Sequence, residues 1–191
     1  MRTSRFVLAF GFCVTLLGSI AFSAKPIPPV PQTFVYDEVK LLSSYDQQMI
    51  NARLQTFQTE TKGQMVVAIM ASLADEDFDD YVNRMYRAWK LGDAKRNDGV
   101  LLVIVPSDRK FRTEVGYGFE ALLTDAYTRR VAEQVLVPEI RKNNFAGGIL
   151  GTIEAYQNRI LKLNGEDQRA ETPRRRQIPG FVVYIIFFIL F

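Results

Sequence analysis

Apolar positions recur with a helical period from Ser44 to Thr61, where Met49, Ile50, Leu54 and Phe57 form one stripe. Ser43 or Ser44 supplies the expected N-cap, and Gly63 the stop. Residues 64–71 (QMVVAIMA) then run apolar without a break, short enough for a strand buried on both faces. Asp77 or Asp79 opens a second helix with Phe78, Val82, Met85, Tyr86 and Trp89 on its face. Gly99–Val105 is a second buried strand, and residues 110–117 alternate, which predicts a hairpin across 106–109. A helical stretch starting at 119–125 continues through 126–142, with Val131, Val135, Leu136 and Ile140 inward, and a last helix covers 145–163. The order α-β-α-β-β-α-α predicts an α/β domain: a small mixed sheet of three to four strands with helices on both faces.

The two ends depart from this pattern. Residues 1–24 begin with Arg2 and Arg5, run apolar from Phe6 to Ile20 and finish in small residues, the layout of a secretory signal cut near 21–24. Four prolines (26, 28, 29 and 31) make 25–34 an extended, semi-rigid spacer. The domain is expected over 35–163 and a charged linker over 164–177. Residues 178–191 are almost wholly apolar. As a helix they cover about 21 Å at 1.5 Å per residue, short of a hydrocarbon core of about 30 Å. This segment reads as a short or truncated membrane anchor, and the protein as exported, periplasmic or otherwise extracytoplasmic. Arg174, Arg175 and Arg176 would then lie outside the cytoplasm, against the positive-inside tendency.

Composition changes the picture mainly by exclusion. The 191 residues contain no histidine and one cysteine, Cys13, inside the apolar leader. Ser-His-Asp and Cys-His catalysis, disulfides and His- or Cys-based zinc sites are therefore excluded for a processed chain. The formal charge of +3 resides in the ends: 24 basic residues less the five at positions 2, 5 and 174–176 leave 19 against 21 acidic ones. A domain of net −2 does not point to nucleic acid as a partner.

Several phrases fall in a recognisable succession. Val35-Tyr36-Asp37 precedes Leu41-Leu42-Ser43, and Trp89-Lys90-Leu91-Gly92 leads into Asn97-Asp98-Gly99. Val115-Gly116-Tyr117-Gly118-Phe119-Glu120 is followed by Leu123-Thr124-Asp125, then Pro138 and 143–148 (NNFAGG). In order and spacing this resembles the TPM domain family over roughly 35–161. The resemblance implies a Rossmann-like α/β/α sandwich, export, and a following transmembrane helix with a Gly-rich tail; residues 164–191 show no Gly-rich stretch, and the apolar segment among them is short. It also implies roles in photosystem repair or as an accessory at a membrane receptor, divalent-cation binding, and acid phosphatase activity.

Four acidic residues border predicted elements: Asp37 before the first helix, Asp98 before a buried strand, Glu120 after a Gly-x-Gly turn, and Asp125. Carboxylates on separate loops can converge at one rim of an open α/β sheet, and hard oxygen donors suit Ca²⁺ or Mg²⁺. The resemblance points to Asp37, Asp98 and Glu120 as well. Each also has a purely structural reading: Asn97-Asp98-Gly99 as a turn, Gly116 and Gly118 as positive-φ positions, Glu120 as a helix-dipole partner. The acidic run at 75–80 reads as a solvated helix start without EF-hand spacing, and Tyr81, Tyr86 and Trp89 as core. The expected function is a membrane-held accessory module for a membrane-protein partner in assembly, maintenance or repair. The alternative is a metal-assisted acid phosphatase, with a small-molecule substrate the weaker expectation. No catalytic residue is assigned.

Overall fold

The computed structural model describes residues 25–73 and 76–171, the side chains of 165–171 excepted. The expected signal (1–24) and apolar tail (178–191) lie outside the described residues. Among the described residues no helix is long and apolar enough to cross a membrane.

Four strands make one sheet in the order β1 (Val35–Asp37), β2 (Gln64–Ile69), β3 (Gly99–Val105), β4 (Lys110–Val115). The first three run parallel, and β4 returns antiparallel to β3. Every residue of β3 is buried, as a central strand covered on both faces must be. The three-residue β1 was not among the strands expected from periodicity: Val35-Tyr36-Asp37 is too short to show a period of two. It joins the sheet through its pairing with 67–69 of β2.

Helix α1 (Ser44–Thr61) starts at Ser43, which forms a full capping box with Asp46, and ends at Lys62 in the left-handed conformation. Helix α2 (Phe78–Trp89) is capped by Asp77, whose side chain accepts the Asp80 amide. Its acidic start is neutralised by arginines, Asp80 and Glu76 by Arg84 and Asp79 by Arg112. Tyr81 and Trp89 are core residues, as expected.

The long helix expected over 126–142 is divided. After a short turn, α3 (Tyr117–Glu120), come α4 (Asp125–Val131), a π-helical turn (Ala132–Leu136) and α5 (Val137–Arg141). Pro138 has no N–H and its ring crowds the preceding turn, so the chain widens just before it, and Val137 N–H reaches back to the Ala132 carbonyl. Helix α6 (Phe145–Glu171) packs closely against that turn, with Gly148 and Gly151 where it meets Leu136 and Val135. It runs eight residues past the expected end, into the segment read as a linker.

One core lies between one sheet face and α1, α6 and the α4–π segment. It includes Ile50, Leu54 and Phe57, together with Leu102, Leu136 and Ile153. The other lies beneath α2 and includes Val66, Leu101, Val103, Tyr81 and Met85. Residues expected to form the extended, semi-rigid spacer lie against this second core. Ile27 packs into it, the Tyr81 hydroxyl donates to the Pro26 carbonyl at 3.3 Å, and Trp89 Nε1 donates to the Pro28 carbonyl at 2.8 Å. An extended proline segment with free carbonyls suits an aromatic surface of this kind.

Candidate functional site

The sheet register decides which acidic residues can meet. Asp37 closes β1 opposite Ile69, and Ile69 lies opposite Ile104, at the carboxyl end of the parallel strands. Asp98 immediately precedes β3, where Gly99 pairs with Gln64, at the amino end. The two carboxylates are separated by the strand length, about 17 Å for five steps of about 3.3 Å. The expectation that they share one rim is corrected by this register.

Each is committed locally. Asp37 accepts the Leu41 amide at 3.1 Å and the Leu42 amide at 2.8 Å, folding the chain from β1 into α1. Asp98 is 4% exposed. Its Oδ1 accepts the Asp93 amide at 2.8 Å and its Oδ2 accepts Arg96 Nε at 2.6 Å. Arg96 also donates to the Lys62 carbonyl at 3.1 Å, tying this loop to the end of α1. Asp93 in turn accepts the amides of Lys95 and Arg96, and those bonds, the Arg96 one first, hold its carboxyl below the usual range.

Glu120 is exposed in α3, at the same end of the sheet as Asp98. Gly116 and Gly118 precede it for a reason other than the one expected. Gly116 has φ −71°, so no left-handed conformation is required there. A side chain would instead collide with backbone: the Asn97 carbonyl at Gly116 and the Arg96 carbonyl at Gly118. These glycines let the turn after β4 lie directly on the Asp98 loop, with Gly118 N–H donating to the Asn97 carbonyl at 2.9 Å.

Asp125 lies elsewhere again, exposed in the first turn of α4 beside a groove of about 860 Å³. Among the described residues, no group of three or more acidic side chains is placed to hold one metal ion. The four expected ligands therefore do not form a single donor set for Ca²⁺ or Mg²⁺, and no chemical step is derived through such an ion.

The groove was missed in the sequence. One wall is the start of α2 (77–79), the floor is β4 from Lys110 to Thr113, and the other wall is α4 through Asp125, Thr128, Arg129 and Ala132. Since its walls come from opposite faces of the sheet, it lies across the free edge of β4. Arg112 is held by Asp79 at 2.9 Å and by Glu114 at 3.0 Å, and the Lys110 ammonium lies over the Phe78 ring. Arg109 and Arg129 have no ion-pair partner among the described residues. The signal available was the alternation of 110–115, whose charged positions mark a strand with one solvated side.

A family model described as TPM domain matches residues 35–159. Among solved structures, the solution structure of the N-terminal domain of a protein from P. gingivalis is 31% identical, covers 70% of this chain and 83% of its own, and superposes with a TM-score of 0.62. The N-terminal domain of the cg2496 protein from Corynebacterium glutamicum is 18% identical, covering 69% and 82% with a TM-score of 0.54. The BA42 protein of the psychrophilic bacterium Bizionia argentinensis is 17% identical, covering 66% and 86% with a TM-score of 0.58. The last two speak for the fold alone. No curated protein matches the chain.

Proposed function

The chain belongs to the TPM domain family, and on that premise we propose that it is an exported accessory module that binds a protein partner at a membrane. Its role is in the assembly, maintenance or repair of membrane proteins. The observation that carries this reading is the groove across the free edge of β4, an open, charged-walled surface of about 860 Å³. Its acidic and basic groups are largely paired with one another or engaged in capping: Asp77 caps α2, Glu76 pairs with Arg84, and Asp79 and Glu114 pair with Arg112. A mixed-charge, wet surface is what a reversible protein interface presents. General acid–base work calls for a carboxyl whose environment sets its pKa against that of a partner group.

Support for attachment at a membrane comes from the apolar residues 178–191 and the signal-like 1–24. Divalent-cation chemistry is not part of the proposal, because Asp37 and Asp98 stand at opposite ends of the sheet.

A photo-crosslinking amino acid placed at Arg129 of the full-length, exported chain tests the reading. One discrete adduct is expected in membranes, absent when the probe stands at Arg53 on α1 and weakened when 178–191 are removed. No adduct at Arg129, together with phosphomonoester hydrolysis by the purified chain that a substitution at an exposed acid such as Glu120→Gln abolishes, would replace this reading by an enzymatic one.

A further inference from the structure

The free edge of β4 has a defined set of open hydrogen-bonding groups. Gly116 N–H donates to the Gly99 carbonyl at 2.8 Å, so Gly99 and Gly116 are a hydrogen-bonded pair of the antiparallel ladder. By the alternation of such a ladder, Lys110, Arg112 and Glu114 turn their main chain toward β3. Phe111, Thr113 and Val115 therefore turn their N–H and C=O groups outward, toward the groove. Among the described residues β4 pairs with β3 alone.

The helices on one face make room for another strand there. Helix α1 covers β1 and β2, α6 lies beside α1, and the α4–π segment lies beside α6 next to β4. Three helices at interaxial distances of about 9 Å span about 18 Å. Four strands about 4.8 Å apart span about 14 Å. At those spacings the helical layer exceeds the sheet by about one strand, and the groove between β4 and α4 puts the excess on the side of β4. There α4 overhangs the edge and the start of α2 closes the opposite side.

We propose that the groove accepts an extended, carboxylate-bearing segment of a partner protein as a fifth strand on β4. This rests on the accessory-module reading and names the kind of partner. Main-chain bonds to Phe111, Thr113 and Val115 supply the affinity common to strand addition, and alternate side chains supply the specificity. Guest side chains on one face meet Thr128 and Ala132, and those on the other meet the start of α2. The acid is selected by Arg109 and Arg129, the two guanidiniums at the groove without an acidic partner among the described residues. Asp125, one turn earlier on α4, repels a carboxylate and confines it to the arginine end.

The test uses the full-length chain in detergent micelles, panned against a random dodecapeptide display library. One enriched peptide is synthesised for amide hydrogen exchange. Enriched peptides are expected to be free of proline in their central residues and to carry Asp or Glu. The bound peptide should slow exchange at Phe111, Thr113 and Val115 while leaving β1, the other edge strand, unchanged. Arg109→Glu with Arg129→Glu, both exposed and outside the core, should weaken binding by about tenfold or more. Peptides that bind without protecting those three amides overturn strand addition and leave the crosslinking reading intact. Failure to enrich any peptide that protects them overturns it too. If the three amides are already protected, and lose protection when 178–191 are deleted, the occupant is the chain's own tail. If protection rises with protein concentration, it is a second copy. Either result overturns the proposal.

Discussion

Arg96 and Asp98, two residues apart in the chain, meet at 2.6 Å with the guanidinium 56% exposed at its side chain and the carboxylate 5% exposed. The aspartate is thus a buried charge with one solvated partner, and its other oxygen serves the Asp93 amide. This arrangement makes Asp98 a tie that closes the 92–98 loop over the start of β2 and β3, where Gln64 N–H donates to the Asp98 carbonyl at 3.1 Å.

Asp98→Ala is therefore expected to cost stability by about 2–3 kcal/mol, since hydrogen bonds to a charged group are lost and the Asp93 amide is left without its acceptor. Arg96→Gln should cost less, because the arginine end is screened by water. Urea unfolding of both variants measures this. Equal losses would mean that the ion pair, rather than the buried acceptor, is the stabilising element.

A Ca²⁺ or Mg²⁺ titration followed by amide NMR is expected to separate the two ends of the sheet. Any shifts around 92–98 should persist unchanged in Asp37→Asn, because Asp37 and Asp98 are a strand length apart and cannot share one ion. Loss of the 92–98 shifts in that variant would contradict the register as it stands.

Stability should fall at both extremes of pH, for opposite reasons. Asp93 is held below its ordinary 3.8 by backbone amides, Asp108 by the Ser72 and Ser107 hydroxyls, and Glu139 below its ordinary 4.5 by Lys142 and Asn144. The folded state binds these protons less readily than the unfolded chain. Their contribution is complete above the ordinary values and is lost as pH drops through the depressed ones. Burial raises Tyr81 from 10.0 to about 12 and pushes Tyr156 higher still. That contribution is complete below 10.0 and disappears as pH rises toward the raised values. A thermal-denaturation series should show a plateau from about pH 5 to about pH 9. Asp93→Asn should flatten the acid limb, and Tyr81→Phe the alkaline limb. An unchanged acid limb in Asp93→Asn would remove Asp93 from this account.

Gly116→Ala should destabilise the domain by about 1–3 kcal/mol, the range for forcing atoms into a packed site. The added methyl meets the Asn97 carbonyl and the Tyr86 hydroxyl. Gly147→Ala meets the Asn144 side chain, which can turn away only by giving up its hydrogen bond from the Gly147 amide, and should cost less, about 1 kcal/mol for the lost cap. Similar urea midpoints for the two variants would show that the turn after β4 yields more easily than its backbone contacts imply.

Much of the fold was legible in the residues. The runs at 64–71 and 99–105 were readable as buried strands because parallel strands covered on both faces carry no polar alternation. Ser43 and Asp77 announced helix starts through side chains that satisfy the first free amides, a purely local effect. Less legible were β1, whose three residues carry no period, and the division of the helix before Pro138. A helical stripe continues smoothly through a π turn, so only the proline hinted at it. The proline segment at 25–31 showed its extended form in sequence but not its seat on Tyr81 and Trp89, which lie more than fifty residues away.

The sequence by itself determined which residues form elements, which chemistry is excluded by the absence of histidine, and the net charge of the domain, because each depends on composition or near neighbours. Only the tertiary structure decided that Asp37 and Asp98 stand at opposite ends of the sheet, and that β4 lies at an edge beneath an overhanging helix. Both follow from strand direction and pairing order. Those are settled by contacts between residues far apart in the chain, which periodicity along it cannot encode.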